Sequence, residues 1–310
     1  IFTSGSSFRD RLLFIEIFSS HTMNNLFRVL TKIVLLTFLT EIIGALILFG
    51  SLDPDYADRF LFSVFHAVSA FCNAGFSTLS DNLYSAGITH NYGIQISVAV
   101  LIILGGIGFP VLLKVYSYLR HLVIVTTRRV LRKRIPVIPE IRNVSGGIVL
   151  FMTAFLILAG TILYYYFENK TSLSGMDNIR KLIISFFGSV SARTAGFNIT
   201  DISLWGYPTV FIMIILMWIG ASPGSTGGSI KTTTFAIALR SVWNNIRGRQ
   251  QLIIGNREIG NTTVIKVLSI IFLSLLVIST GFFCLLISQK SSSEEFPGLL
   301  KVCKQICSKG

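Results

Sequence analysis

From Gly147 to Phe167 the chain carries no charged side chain, and from Ile94 to Leu113 it carries none either. A helix needs roughly 20 apolar residues, about 30 Å at 1.5 Å per residue, to cross the hydrocarbon of a bilayer. Both runs meet that length. Val29 to Gly50 also qualifies, with Lys32 near one end and Glu41 inside, as does Val264 to Ile287, where Lys266 stands near the start. Tyr207 to Arg240 is long enough to cross but is interrupted by Gly220, Ala221, Ser222, Pro223, Gly224, Ser225, Thr226, Gly227, Gly228 and Ser229. The expectation is five crossings, one of them broken.

Composition agrees. Hydrophobic residues make up 52% and charged residues 13%, about half the charge of an ordinary soluble domain. That excludes a disordered chain and argues against a soluble enzyme. The net charge of +13 points to nucleic acid in a soluble protein, but here the basic residues lie between apolar runs, so no nucleic-acid partner is expected. Arg120, Arg128, Arg129, Arg132, Lys133, Arg134 and Arg142 stand against Glu140 in one loop; Arg240, Arg247, Arg249 and Arg257 stand against Glu258 in another; the N-terminal stretch holds Arg9, Arg11 and Arg28. The alternate loops hold Asp53, Asp55, Asp58 and Asp81, then Glu168 and Asp177. The lysine and arginine bias places residues 1–28, 120–143 and 241–262 on the cytoplasmic side, and the crossings alternate consistently with it.

Cysteine usage says little. Cys72, Cys284, Cys303 and Cys307 form neither a redox pair nor a zinc knuckle, and Cys72 and Cys284 read as packing residues in apolar stretches. A membrane-embedded enzyme needs ionisable groups gathered at membrane depth. His21, His66, His90 and His121 are scattered instead, and no H-E-x-x-H or paired aspartate motif is present.

Two apolar stretches, Phe60 to Phe76 and Leu182 to Phe197, are too short to span and lie on the outer side. Each ends in similar words: Val68-Ser69-Ala70, then Ala74-Gly75-Phe76; and Val190-Ser191-Ala192, then Ala195-Gly196-Phe197. Internal repetition is characteristic of transport proteins, whose sites lie where repeats meet. The unit reads as span, short outer helix, glycine-containing loop, span. Non-helical backbone at membrane depth is tolerated only where it is buried in protein or lines water, and a loop of small residues there can turn carbonyl oxygens toward an ion. Ser69 and Ser191 have hydroxyls placed to satisfy backbone groups where each short helix ends.

These loops, the stretch Trp218 to Thr234, the run Leu104-Gly105-Gly106-Ile107-Gly108-Phe109-Pro110 and Arg9-Asp10-Arg11-Leu12-Leu13 resemble the membrane subunits, TrkH- or KtrB-like, of the bacterial Trk/Ktr potassium transporter family. The resemblance covers residues 8–287. It implies an all-α transmembrane fold of repeated helix–pore loop–helix units, as in potassium-channel-like transporters. Four such repeats surround one pore, in a homodimer of the bacterial inner membrane that docks a cytosolic nucleotide-binding regulatory subunit (TrkA- or KtrA-like). The transported ion is potassium, with no covalent cofactor. In that frame 1–28 is the cytoplasmic end of a first repeat, 29–119 the second repeat, 120–144 a basic linker, 145–241 the third repeat, 242–263 a linker, 264–287 the first helix of a fourth repeat and 288–310 an atypical tail. Two filter loops are present where the family has four, so the expectation is a fragment or truncated product, incomplete at both ends, that conducts no selective potassium flux alone.

The resemblance also implies roles. Asn73, Ala74, Gly75 and Phe76 are expected to line one quarter of a cation filter with backbone carbonyls, and Thr194, Ala195, Gly196 and Phe197 another, with both phenylalanine rings buttressing. The break from Gly220 to Ser229 resembles an intramembrane gate. Lys231, just beyond it, is expected to face an aqueous inner cavity or to snorkel inward. Arg193 is expected to point away from the ion and pair with a carboxylate such as Asp201, or to snorkel at the surface. Glu41 is left as either a counter-charge or a packing partner.

Overall fold

The structure, a computed structural model, describes residues 23–85, 87–130, 144–248, 252–254 and 257–291. The stretches 1–22, 131–143 and 292–310 lie outside the described residues, and with them Arg9, Arg11, Arg132 to Arg134, Glu140, Arg142, Cys303, Cys307 and most of the tail.

The first long helix, α1 (Met23–Ser51), carries polar residues at membrane depth without stranding them. Thr31, Thr40 and Ser51 donate their hydroxyls back to the carbonyls of Phe27, Leu36 and Ile47 at 2.8–2.9 Å, the arrangement that satisfies a hydroxyl inside a helix. The chain then turns through an acidic loop into the short α2 (Arg59–Phe71), a loop, a 3-10 turn at Asn82–Tyr84, and α3 (Tyr92–Ile107), whose first turn is capped by the Asn91 side chain accepting from Ile94 N at 3.2 Å. After Gly108 the chain continues as α4 (Phe109–Val130). The same order then recurs: long α5 (Val144–Glu168), short α6 (Asn178–Ala192), a loop, a 3-10 turn at Ile202–Leu204, α7 (Tyr207–Trp218), an irregular stretch and α8 (Thr232–Ile246). Strands β1 (Leu252–Ile254) and β2 (Arg257–Ile259) pair antiparallel before the last helix, α9 (Asn261–Ser291). This hairpin is a small addition to the all-helical expectation, placed in a linker.

Among the described residues, four helical segments are long and apolar enough to cross a membrane by length and composition: Phe27–Ser51, Phe109–Thr127, Gly146–Glu168 and Asn261–Cys284. The unbroken span expected at Ile94 to Leu113 is corrected here. The chain breaks at Gly108, which sits at φ 94°, and α4 then runs on as helix through Arg120 and Arg128. So α3 and α4 form a broken pair, as α7 and α8 do.

The repeats meet through α3 and α6. Their shared core includes Ala67, Ala70 and Ile102 from one repeat and Ile184, Phe187 and Met213 from the other. By contrast α1, α5 and α9 leave large side chains such as Leu35, Phe151 and Phe272 uncovered, as helices facing hydrocarbon do. Cys72 and Cys284, expected to be packing residues, are exposed. Helix α9 docks on the end of α7 through Trp218 Nε1 donating to Ser274 Oγ at 3.0 Å.

One end of the third repeat hangs on one carboxylate. Glu168 is buried and accepts from Gly206 N at 2.9 Å, Ser172 N at 3.2 Å and the Thr171 hydroxyl. It thereby caps the start of α7 from another helix, supplying an acceptor that the orphan N–H groups there require. Glu168→Ala is expected to cost about 1–3 kcal/mol, read as a lower thermal unfolding midpoint in detergent. An unchanged midpoint would place the support of this junction elsewhere.

Candidate functional site

Each short helix ends the same way. In the first, Asn73 takes φ 53°, a left-handed conformation that asparagine tolerates. Ala74 N reaches Ser69 O at 2.9 Å, and Ser69 Oγ donates to Phe76 O at 2.8 Å. In the second, Gly196 N reaches Ser191 O at 3.1 Å, and Ser191 Oγ donates to Phe197 O at 2.6 Å. One serine per repeat therefore folds the loop back on its own helix, as the sequence suggested.

The two loops lie against each other. Gly75 has φ 70° and Gly196 φ 80°. A side chain at Gly75 would land on the Ala195 carbonyl oxygen, with Gly196 Cα 3.3 Å away, so only glycine allows this approach. Thr194 Oγ1 donates to Asn73 Oδ1 at 2.8 Å, tying one loop to the other. On the other side, a cavity of about 410 Å³ opens over Gly75 and Phe76, with Asp81 from one repeat and Asp201 from the other on its wall.

Beneath the loops lies the stretch between α7 and α8. Its base is closed by Gly220 N donating to Ile230 O at 3.1 Å and Ile230 N to Trp218 O at 3.2 Å. The excursion in between meets the break at Gly108 in the second repeat. Ser222 N donates to Gly106 O at 2.9 Å, Thr226 N to Gly105 O at 3.3 Å, and Phe109 N to Gly224 O at 2.8 Å. The last carbonyls of α3 and the unwound excursion thus satisfy one another, which removes the cost of leaving polar groups unpaired at membrane depth. Gly108 is glycine because its φ and the Pro223 carbonyl, which would stand 2.6 Å from a Cβ, admit nothing larger. Thr226 reaches upward: its hydroxyl donates to Phe71 O at 2.9 Å and accepts from Asn73 Nδ2 at 2.9 Å.

Several expectations change. Arg193 is buried and donates from Nη2 to the Gly220 carbonyl at 2.9 Å. It reaches the carbonyl freed where α7 unwinds, where a carboxylate or the surface had been expected. Lys231 donates from Nζ to Gly227 O at 2.7 Å, a main-chain partner within the excursion that the sequence did not suggest. The Phe197 ring is buried, but the Phe76 ring is 70% exposed, so only one of the two buttresses its loop. Glu41 accepts a weak hydrogen bond from the Cys72 thiol at 3.8 Å, beside the first loop. The sequence reading missed the Asn73 side chain and the Gly105–Gly108 break; a lone asparagine in an apolar run and three glycines ahead of a proline were the available signals.

These features have counterparts in known proteins. The family model for TrkH, described as cation transport protein, matches residues 15–296. The chain is 32% identical over 296 residues to Ktr system potassium uptake protein B of Vibrio alginolyticus, covering 93% of this chain and 60% of that protein. It is also 32% identical, over 285 residues, to the Bacillus subtilis protein of the same name, covering 91% and 60%. Potassium/sodium uptake protein NtpJ of Enterococcus hirae is 32% identical over 272 residues, covering 87% and 56%. The chain spans about three fifths of the length of these curated relatives. The crystal structure of the potassium transporter TrkH from Vibrio parahaemolyticus superposes with a TM-score of 0.69 at 15% identity, over 96% of this chain and 59% of that one; at that identity it shows a shared fold. With a match that runs from residue 15 to 296, the chain belongs to the TrkH family of cation transport proteins.

Proposed function

We propose that the chain forms part of a potassium uptake pore in a bacterial inner membrane, with 73–76 and 194–197 lining a carbonyl filter and 220–229 closing the path beneath it. The observation that carries this reading is the contact of the two loops at Gly75 and Ala195 directly above a segment hydrogen-bonded to both repeats. Carbonyl oxygens held at membrane depth can replace the hydration shell of a cation. Because the Ser69, Ser191 and Asn82 side chains already donate to the Phe76, Phe197 and Gly75 carbonyls, the coordinating set is weighted to Asn73 and Ala74 and to Thr194, Ala195 and Gly196. Asp81 and Asp201 give the outer cavity a negative wall that concentrates cations. Lys231 and Arg193 act on the gate by holding its carbonyls, at Gly227 and Gly220, rather than by repelling an ion. Homodimer formation and docking of a cytosolic nucleotide-binding regulatory subunit on the basic inner side complete the proposal, on the strength of the family and of the charge bias.

The test is growth and potassium uptake at low external potassium in cells that lack their own uptake systems. In a subunit that carries this sequence together with all four filter loops, saturable uptake that favours potassium over sodium is expected, while the 310 residues alone are expected to give no selective potassium flux. Uptake by the four-loop subunit that treats the two ions alike would remove potassium selectivity, and no uptake by it at all would remove the transport role.

A further inference from the structure

One face of α2 holds the exit of the first loop. His66 and Ser69 are buried, three residues apart and so neighbours on the helix surface. Ser69 Oγ donates to Phe76 O at 2.8 Å. The His66 ring meets the next residue: its Nε2 lies 2.9 Å from Ser77 Oγ, and its Nδ1 lies 2.8 Å from Phe62 O. We propose that His66 is a positioning residue of the first filter loop, its imidazole fixed as the Nδ1–H tautomer so that Nε2 accepts the Ser77 hydroxyl and sets where the chain leaves the filter. This rests on the reading of 73–76 as filter.

The tautomer follows from the partners. A carbonyl oxygen only accepts, so Nδ1 carries the proton, and the bond at one ring nitrogen sets the state of the other. A second proton would put a charge at a site with no exposed surface, which is costly, so Nε2 keeps its lone pair. Ser77 donates to it while the Ser77 oxygen accepts from Leu79 N at 3.1 Å. The residue after the filter is thereby held from both sides.

The ring itself is held too. It stacks on Phe62 with centroids 3.9 Å apart, and the buried Phe197 ring of the other filter loop lies 6.3 Å away, within the range of aromatic packing. His66 therefore supports both loops, one by a hydrogen bond and one by its ring, where the exposed Phe76 ring supports neither. The other repeat uses a different buttress. Counting two residues back from Val68 and Val190, His66 corresponds to Gly188, where a Cβ would stand 3.1 Å from Tyr164 Cε2. Tyr164 of α5 fills that space, and its hydroxyl pairs at 3.2 Å with Thr200 Oγ1, three residues beyond Phe197.

Two measurements test this. In the chain in detergent, with histidine labelled for nitrogen NMR and His66 assigned by the signals lost in His66→Gln, Nδ1 is expected to carry the proton and Nε2 none. Ser77→Ala is expected to shift chiefly the Nε2 signal. A proton on Nε2 alone, or an Nε2 signal indifferent to Ser77→Ala, overturns the proposal. In a subunit that carries this sequence together with all four filter loops, Ser77→Ala and His66→Leu are each expected to lower the ratio of potassium to sodium uptake about two- to tenfold, the reach of one hydrogen bond's net contribution. His66→Gln keeps an acceptor at similar reach and is expected to recover most of the ratio. The His66→Leu/Ser77→Ala double variant is expected to lose no more than His66→Leu alone, because both remove the same bond. Ser77→Ala carries the test if His66→Leu fails to fold. Variants that lower only the amount of protein or the maximal rate, at an unchanged ratio, overturn the positioning role and leave the filter standing. An unaltered four-loop subunit that does not discriminate between the ions removes the filter reading beneath it.

Discussion

In a subunit that carries all four filter loops, Gly75→Ser is expected to erase most of the discrimination between potassium and sodium while the protein still reaches the membrane. Gly75 sits at φ 70°, and an added Cβ would fall on the Ala195 carbonyl oxygen. A non-glycine residue held in such a backbone region costs about 1–3 kcal/mol, and the collision adds to it. The loop must shift, and the oxygen it displaces belongs to the neighbouring filter loop. Because selectivity depends on where carbonyl dipoles stand around the ion, one substitution disturbs two of the coordinating walls. The ratio of potassium to sodium uptake is expected to fall about tenfold or more, which corresponds to ~1.4 kcal/mol. Gly196→Ser, at φ 80°, is expected to act in the same direction. Gly146→Ser is the control, since nothing lies within 4 Å of a Cβ there. Reduced flux with an unchanged ion ratio in both filter variants would sink the filter assignment.

In a subunit that carries all four filter loops, deleting Ala221 to Gly228 is expected to raise basal cation flux by roughly tenfold or more, equivalent to removing ~1.4 kcal/mol of preference for the closed state. A Cβ on Gly220 would stand 2.5 Å from Ser229 Cβ, so the two ends of the cut lie close together. What is lost is the excursion beneath the filter, with its bonds to Gly105, Gly106 and Phe109. Flux that is unaltered or lower in a folded deletion variant would show that the stretch does not occlude the path.

How much of this was legible in the sequence depends on the kind of signal. Long apolar runs announced α1, α5 and α9, because length and lack of charge are local properties. The short helices and their loops were legible because the V-S-A and A-G-F words occur twice. The break at 220–229 was legible from its glycines and serines. The break at Gly108 was not read, because Leu104 to Pro110 contains no charge and so passed as part of a span. Its cause lies outside the segment, in the Pro223 and Gly224 carbonyls that pack there. The side-chain links escaped for the same reason. Asn73, Thr194 and Thr226 are far apart along the chain, and nothing in their local sequence says that they meet. Arg193 was paired with a carboxylate by charge alone, whereas an unwound helix offered it a main-chain oxygen.

The hydrogen bonds that close the base of the excursion, between Gly220 and Ile230 and between Ile230 and Trp218, also bear on the lipid around the protein. If 220–229 is the gate proposed above, a fastened base would let the segment move without changing the separation of α7 and α8. A transition that changes neither hydrophobic length nor cross-section leaves the deformation energy of the surrounding bilayer unchanged, so opening is then expected to be insensitive to bilayer thickness.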